Sequence, residues 1–188
     1  MKSDNQPENE YQHLSRAIKW AAKLHLTQFR DGDHPLPYIV HPIEVLSNLR
    51  YVGGIEEESM LIVAVLHDTV EEGGTTLAKI QEKFGERVAA LVEELTRYEP
   101  TESEKSGLTT DQIWQLRSDL LLAEIAKMSK SAQTIKLADR LSNVQEAYRS
   151  KSGKELTRYI DQTQRILTII PREANPGLWD AIASAAGN

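Results

Sequence analysis

Apolar side chains return every three or four residues along most of this chain, and each such run predicts a helix. Leu14, Ala17, Ile18, Ala21 and Ala22 share one face from about Tyr11. That helix is expected to stop near Phe29, before the turn-rich Asp31-Gly32-Asp33-His34-Pro35-Leu36-Pro37. Pro42 suits a helix entrance and opens a segment to about Tyr51, before Gly53-Gly54. Next comes a segment from Glu56 to Glu72 containing the continuous run Leu61 to Leu66; its length favours a buried helix over a strand. Thr75 or Thr76 caps a short helix to Phe84, and Val88, Leu91, Val92 and Leu95 give the following one an inner face. Tyr98 to Thr110 reads as a polar loop. Asp111 to about Met128 is helical, with Ile113, Leu116, Leu120, Ala123 and Ile125 or Met128 inward. Ser131 to Tyr148 carries an apolar stripe of Leu137, Leu141, Val144 and Tyr148. Glu155 to Ile170 is stopped by Pro171, and Pro176 opens a last short helix. No repeat and no strand pattern emerges. The expected class is all-α, one domain over residues 11–188 behind a flexible polar tail, Met1 to Glu10.

Charge and composition narrow the partners. A net charge of −6 lacks the basic footprint of a nucleic-acid or acidic-membrane binder. No apolar run approaches the roughly 18 residues of a membrane span, and the tail is too polar for a signal peptide. With 0 cysteines there is neither a disulfide framework nor a thiolate metal site. These features fit a cytoplasmic protein whose partner is a small molecule. They leave the oligomeric state open.

The chemistry gathers where the apolar run meets His67, Asp68, Glu71 and Glu72. On a helix His67 neighbours Glu71, and Asp68 neighbours both glutamates. Burying three carboxylates and an imidazole at one helix end is expensive, and a metal cation is the simplest compensation. His41 stands at a helix entrance, and Asp139 borders the apolar stripe of its helix. Two imidazoles with Asp68 and Asp139 make an N2O2 donor set suited to a first-row divalent ion. Spacing alone favours that site only modestly over satisfied core polar groups, with Asp139 in an ordinary surface ion pair with Lys136. His25 reads as a core histidine or a support for the site. His34 reads as a solvated loop residue, and Glu56, Glu57 and Glu58 as a solvated charge run at a helix start.

Several motifs occur in order: Gln28-x-Arg30, Pro37-Tyr38-Ile39-Val40-His41-Pro42, Leu66-His67-Asp68-Thr69-Val70-Glu71, Phe84-Gly85 and Lys136-Leu137-Ala138-Asp139-Arg140-Leu141-Ser142-Asn143. Together they resemble the hydrolase domain of RelA/SpoT-type (p)ppGpp enzymes, within the HD superfamily of metal-dependent phosphohydrolases and including the stand-alone small alarmone hydrolases. The resemblance spans about Ala17 to Asn143. It implies an HD-type helical bundle in which His41, His67, Asp68 and Asp139 hold Mn2+ or another first-row divalent ion. Glu71 and Glu72 would position or deprotonate the attacking water. Arg30 matches a substrate-contacting arginine and Asn143 a residue near the nucleoside, while Lys136 and Arg140 would offset phosphate charge. Arg140 has an alternative reading as a surface partner for a glutamate. This chain departs from the family in having Glu72 where Asp is usual, Asp31-Gly32 where Lys-Ser is usual, and a slightly longer loop between Arg30 and His41. The implied reaction is hydrolysis of the 3′-pyrophosphate of (p)ppGpp, with no room for a synthetase domain. A related phosphohydrolase acting on NADPH or another nucleotide, and a non-catalytic nucleotide-binding regulatory module, are the alternatives.

Overall fold

Ten α-helices surround one apolar core in the computed structural model, which describes residues 11–30 and 35–187. The tail Met1 to Glu10 and His34 lie outside the described residues. In chain order the helices are α1 (Gln12–Leu24), α2 (Val40–Ser47), α3 (Glu58–Leu66), α4 (Leu77–Phe84), α5 (Glu86–Leu95), α6 (Glu102–Lys105), α7 (Thr110–Ile125), α8 (Lys130–Ser150), α9 (Gly153–Ile169) and α10 (Pro176–Ala185). A π-helical turn, Asn48–Val52, extends α2. Among the described residues the only strand-like pairing is an isolated bridge between Phe29 and Pro37. Among the described residues no helix is long and apolar enough to cross a membrane.

The apolar run makes α3 the central rod. Every residue from Met60 to Leu66 is buried, because a helix that is apolar all round must be covered all round. α1, α2, α5 and α8 pack about it. α8 is the second pillar, burying Leu137, Leu141 and Val144 as the periodicity predicts. Tyr148 breaks that stripe and is exposed, since α8 has passed the core by then. The expected inner face of α5 is buried in full, and Thr76 caps α4 through the Lys79 amide.

Two helix ends and one loop depart most from the sequence expectation, each for a local reason. α1 stops at Leu24 instead of Phe29. The His25 ring bonds Gln28 Oε1 at 2.6 Å, and the backbone then turns extended to pair with Leu36 and Pro37. α3 stops at Leu66 instead of Glu72. The carbonyls that would continue it are taken: His67 Nδ1 donates to Ala64 (2.9 Å), and the Thr69 hydroxyl and amide both donate to Leu66. Gly73 closes the resulting turn, where a side chain would meet the Thr69 carbonyl at 2.8 Å. The loop after Tyr98 contains α6, opened by a Thr101–Glu104 capping box.

α7 also presents a different face from the one expected. It buries Ser118, Leu121, Leu122 and Ile125, leaving Ile113, Leu116 and Leu120 half-buried and Ala123 exposed. The reason is tertiary: α7 packs on α9, where Gln162 donates to Ser118 Oγ at 2.9 Å, so a polar residue is satisfied inside. At the start of α3, Glu56 and Glu57 pair with Arg50 and Arg87 on the surface, as a charge run should. Glu58 instead accepts from the Leu14 amide, satisfying an N-terminal donor of α1.

Candidate metal centre

Three elements deliver the four candidate ligands. The turn after α3 carries His67 and Asp68, the first turn of α2 carries His41, and the middle of α8 carries Asp139. Ligand atoms of His41, His67 and Asp139, all buried, lie within 4.8 Å of one another. His41 Nε2 sits 3.3 Å from Asp139 Oδ1 and 3.5 Å from Asp68 Oδ2. His67 Nε2 sits 3.1 Å from Asp68 Oδ1 and 3.8 Å from Asp139 Oδ1. Ending α3 at Leu66 is what lets the consecutive His67 and Asp68 face one point.

The donors fit a divalent ion. A carbonyl can only accept, so His67 Nδ1 must carry the proton it gives to Ala64, and its Nε2 is the atom turned toward the carboxylates. That Nε2 is buried between carboxylates without a well-aligned hydrogen bond, an arrangement that a cation would complete. Two imidazole nitrogens with two carboxylates suit a first-row metal, and positions remain for water and substrate.

Electrostatics of the bare cluster follow from its crowding. Burial lowers the His67 pKa, but Asp68 and Asp139 outweigh it and raise the value to about 9. Burial raises Asp68, yet His67 and His41 bring it below its ordinary value. Burial likewise opposes ionisation of Asp139, but Lys136 and both imidazoles hold it well below the usual carboxylate range. Lys136 Nζ lies 2.8 Å from Asp139 Oδ2, with side chains 13% and 7% exposed, so this pair belongs to the site and is no ordinary surface pair. Asn143 Nδ2 donates to Asp139 Oδ1.

A cleft of about 590 Å³ opens over the cluster, and Glu71, Glu72, Lys136, Arg140 and Asn143 all reach its wall. Glu71 accepts from the Arg97 amide at 2.6 Å, with the Arg97 guanidinium 3.5 Å away. Burial raises the Glu71 pKa against the pull of Arg97. Glu72 is exposed, its backbone carbonyl held by Gln28. Arg140 is only 4% exposed, donates to Gln162 Oε1 (2.9 Å) and lies 4.7 Å from the centre of the Tyr159 ring, which excludes the surface-partner reading. Arg30 is apart from the metal cluster. It lines an adjoining recess of about 260 Å³ with Asn143, Tyr38 and Tyr159, and donates to Asn143 Oδ1 at 3.4 Å.

Sequence reasoning missed several participants. Tyr38 donates to Asp68 Oδ2 at 2.7 Å, and burial with Asp68 raises its pKa. It lies inside the Pro37 to Pro42 motif, so its position was marked though its role was not. His25 is buried against it, ring centres 4.8 Å apart. Arg97, Tyr159 and Gln162 carried no local signal, because they join the cleft from α9 and the segment after α5.

The chain is similar to known proteins in both sequence and fold. Residues 17–170 match the HD domain family model. The chain is 35% identical over 141 residues to the human guanosine-3′,5′-bis(diphosphate) 3′-pyrophosphohydrolase MESH1, covering 75% of this chain and 73% of that protein. The Xenopus tropicalis MESH1 is 34% identical over 136 residues, covering 72% and 70%. Among solved structures, a metazoan ortholog of SpoT that hydrolyses ppGpp superposes with a TM-score of 0.79 at 26% identity, covering 93% of both chains. The protein lmo0812 of Listeria monocytogenes gives 0.59 at 25% identity, covering 82% of this chain and 96% of its own.

Proposed function

Because this chain belongs to the HD domain family, we propose that it hydrolyses the 3′-pyrophosphate of (p)ppGpp, giving GDP or GTP and pyrophosphate. The reading extends to residues 11–188 acting as one hydrolase unit in the cytoplasm. The observation that carries it is the convergence of His41, His67 and Asp139 within 4.8 Å at the floor of a cleft walled by Glu71 and Glu72. His41, His67, Asp68 and Asp139 would hold Mn2+, which when bound supplies Lewis-acid stabilisation of phosphate charge and acidifies water.

The side chains divide the remaining work. Glu71 takes a proton from the attacking water, and Glu72 orients that water from the rim. Water oxygen bonds to the phosphorus next to the ribose, the bond from that phosphorus to the 3′-oxygen breaks, and the proton that Glu71 took from the water passes to the 3′-oxygen, which ends as a hydroxyl. Tyr38 and Lys136 fix the carboxylates of Asp68 and Asp139, so neither ligand must reorganise during turnover. Arg140 and Lys136 set positive charge beside the phosphates in a protein that is otherwise acidic. Arg30 and Asn143 face the nucleoside from the adjoining recess.

The test is a substrate panel on chelator-stripped protein reloaded with Mn2+, Zn2+, Co2+ or Mg2+, alongside Asp68→Ala. Pyrophosphate release from ppGpp is expected, greatest with Mn2+, and the variant loses metal and activity together. Turnover retained in Asp68→Ala excludes this site. Faster release of phosphate from NADPH replaces the substrate while keeping the mechanism. Metal-replete protein inert on every phosphate ester leaves only a binding module.

A further inference from the structure

We propose that Glu44 and Ser142 are positioning residues that lock His41 in its metal-binding tautomer. Ser142 Oγ lies 2.7 Å from Glu44 Oε2 and 3.0 Å from His41 Nδ1. A serine hydroxyl has one proton to give, and a carboxylate can only accept. The proton therefore goes to Glu44, and the Ser142 oxygen is left as the acceptor for His41. His41 Nδ1 must then carry hydrogen, which leaves the lone pair on Nε2, the atom 3.3 Å from Asp139 and 3.5 Å from Asp68.

The surroundings make that direction hard to reverse. Ser142 is 0% exposed and His41 2%, so bulk solvent has little access to the bond between them. His67 reaches the same tautomer by a separate route, through the Ala64 carbonyl. The two helices repeat one plan: on α2 the ligand His41 is followed three residues later by Glu44, and on α8 the ligand Asp139 is followed three residues later by Ser142. Residues three apart share a helix face, so the ligand and its support point across the same seam. Glu44 does not border the substrate cleft. It opens on a separate groove beside Ile39, Ile43, Ser47 and Gln145, so its hydrogen-bonded link to the site runs through Ser142. Hydrogen bonds of this kind fix ring orientation and raise the basicity of a metal-binding imidazole.

The inference rests on the metal-site reading above, and the experiment separates the two. Mn2+ dissociation constants are measured by competition with a fluorescent chelator on stripped wild type, Ser142→Ala, Ser142→Thr and Glu44→Ala, with metal-free melting curves for each. Ser142→Ala and Glu44→Ala are expected to weaken Mn2+ binding about 10–100-fold. Ser142→Thr, which keeps the hydroxyl, is expected to stay within about threefold, a rescue that mere loss of packing would not give. Should Ser142→Ala fail to fold, the half-buried Glu44→Ala carries the test alone. Binding within twofold of wild type in every folded alanine variant overturns the relay and leaves the metal site standing. A wild type that binds no Mn2+ removes both.

Discussion

Glu71 feels opposing influences, burial raising its pKa and the Arg97 guanidinium lowering it. In the proposed reaction Glu71 accepts a proton and so works only when ionised, and the acid limb of the pH–rate profile should lie above the ordinary glutamate range. Arg97→Met removes the lowering charge, raises the Glu71 pKa further and is expected to move that limb to higher pH. A profile that stays put in Arg97→Met assigns the limb to another group. Glu71→Gln should cut kcat by about 10²–10⁴ while Mn2+ binding persists, since it removes a proton acceptor and no ligand. Loss of metal together with activity in that variant would make Glu71 a ligand. Among single residues, those legible in the sequence were the ones whose chemistry is announced by neighbours. His67-Asp68 follows an apolar run, and His41 precedes a proline. Tyr38, Ser142 and Arg97 act through partners distant in the chain, Asp68 being 30 residues from Tyr38 and His41 being 101 from Ser142.

The end of α3 is the element on which the site turns. Helical continuation to Glu72 would point His67 and Asp68 about 100° apart. The competing bonds to the Ala64 and Leu66 carbonyls unwind the chain there instead. Thr69 is fully buried, and Thr69→Val keeps its shape while deleting the hydroxyl bond to Leu66. A cost of about 1 kcal/mol is expected, seen as a melting temperature lower by about 2–4 °C, together with weaker Mn2+ binding. Unchanged metal affinity would show that the turn is held by backbone alone. Leu66→Ala, one residue before the turn and 0% exposed, should cost about 2–5 kcal/mol in denaturant unfolding. Helix existence was readable from periodicity. Helix ends were not, because side chains that compete for terminal carbonyls do not alter the apolar spacing. The inward face of α7 was hidden for a similar reason: nothing near Ser118 in sequence shows that Gln162 awaits it.

For the molecule as a whole, the metal site and stability are linked. A ligand that binds only the folded state adds RT ln(1 + [L]/Kd), about 2.7 kcal/mol at a hundredfold excess over Kd. Mn2+ at that excess should raise the melting temperature by about 5–11 °C, and chelation should reverse it. Without metal, His67 is raised from 6.5 to about 9, so it stabilises the fold below pH 6.5 and ceases to as pH rises through about 9. Metal needs the neutral imidazole, so its gain grows over the same window. The melting curves of stripped and loaded protein should therefore diverge from pH 6.5 to 9, and parallel curves would contradict the shared role of His67. The all-α class, the helix count to within one short helix and the family were fixed by local pattern, since helical periodicity and motif spacing depend only on residues close along the chain. Which carbonyl stops a helix, which nitrogen of His41 faces Asp68 and Asp139 and which arginines border the cleft were decided by groups that meet only when α2, α3, α7, α8 and α9 pack, because hydrogen-bond direction and burial are properties of that meeting.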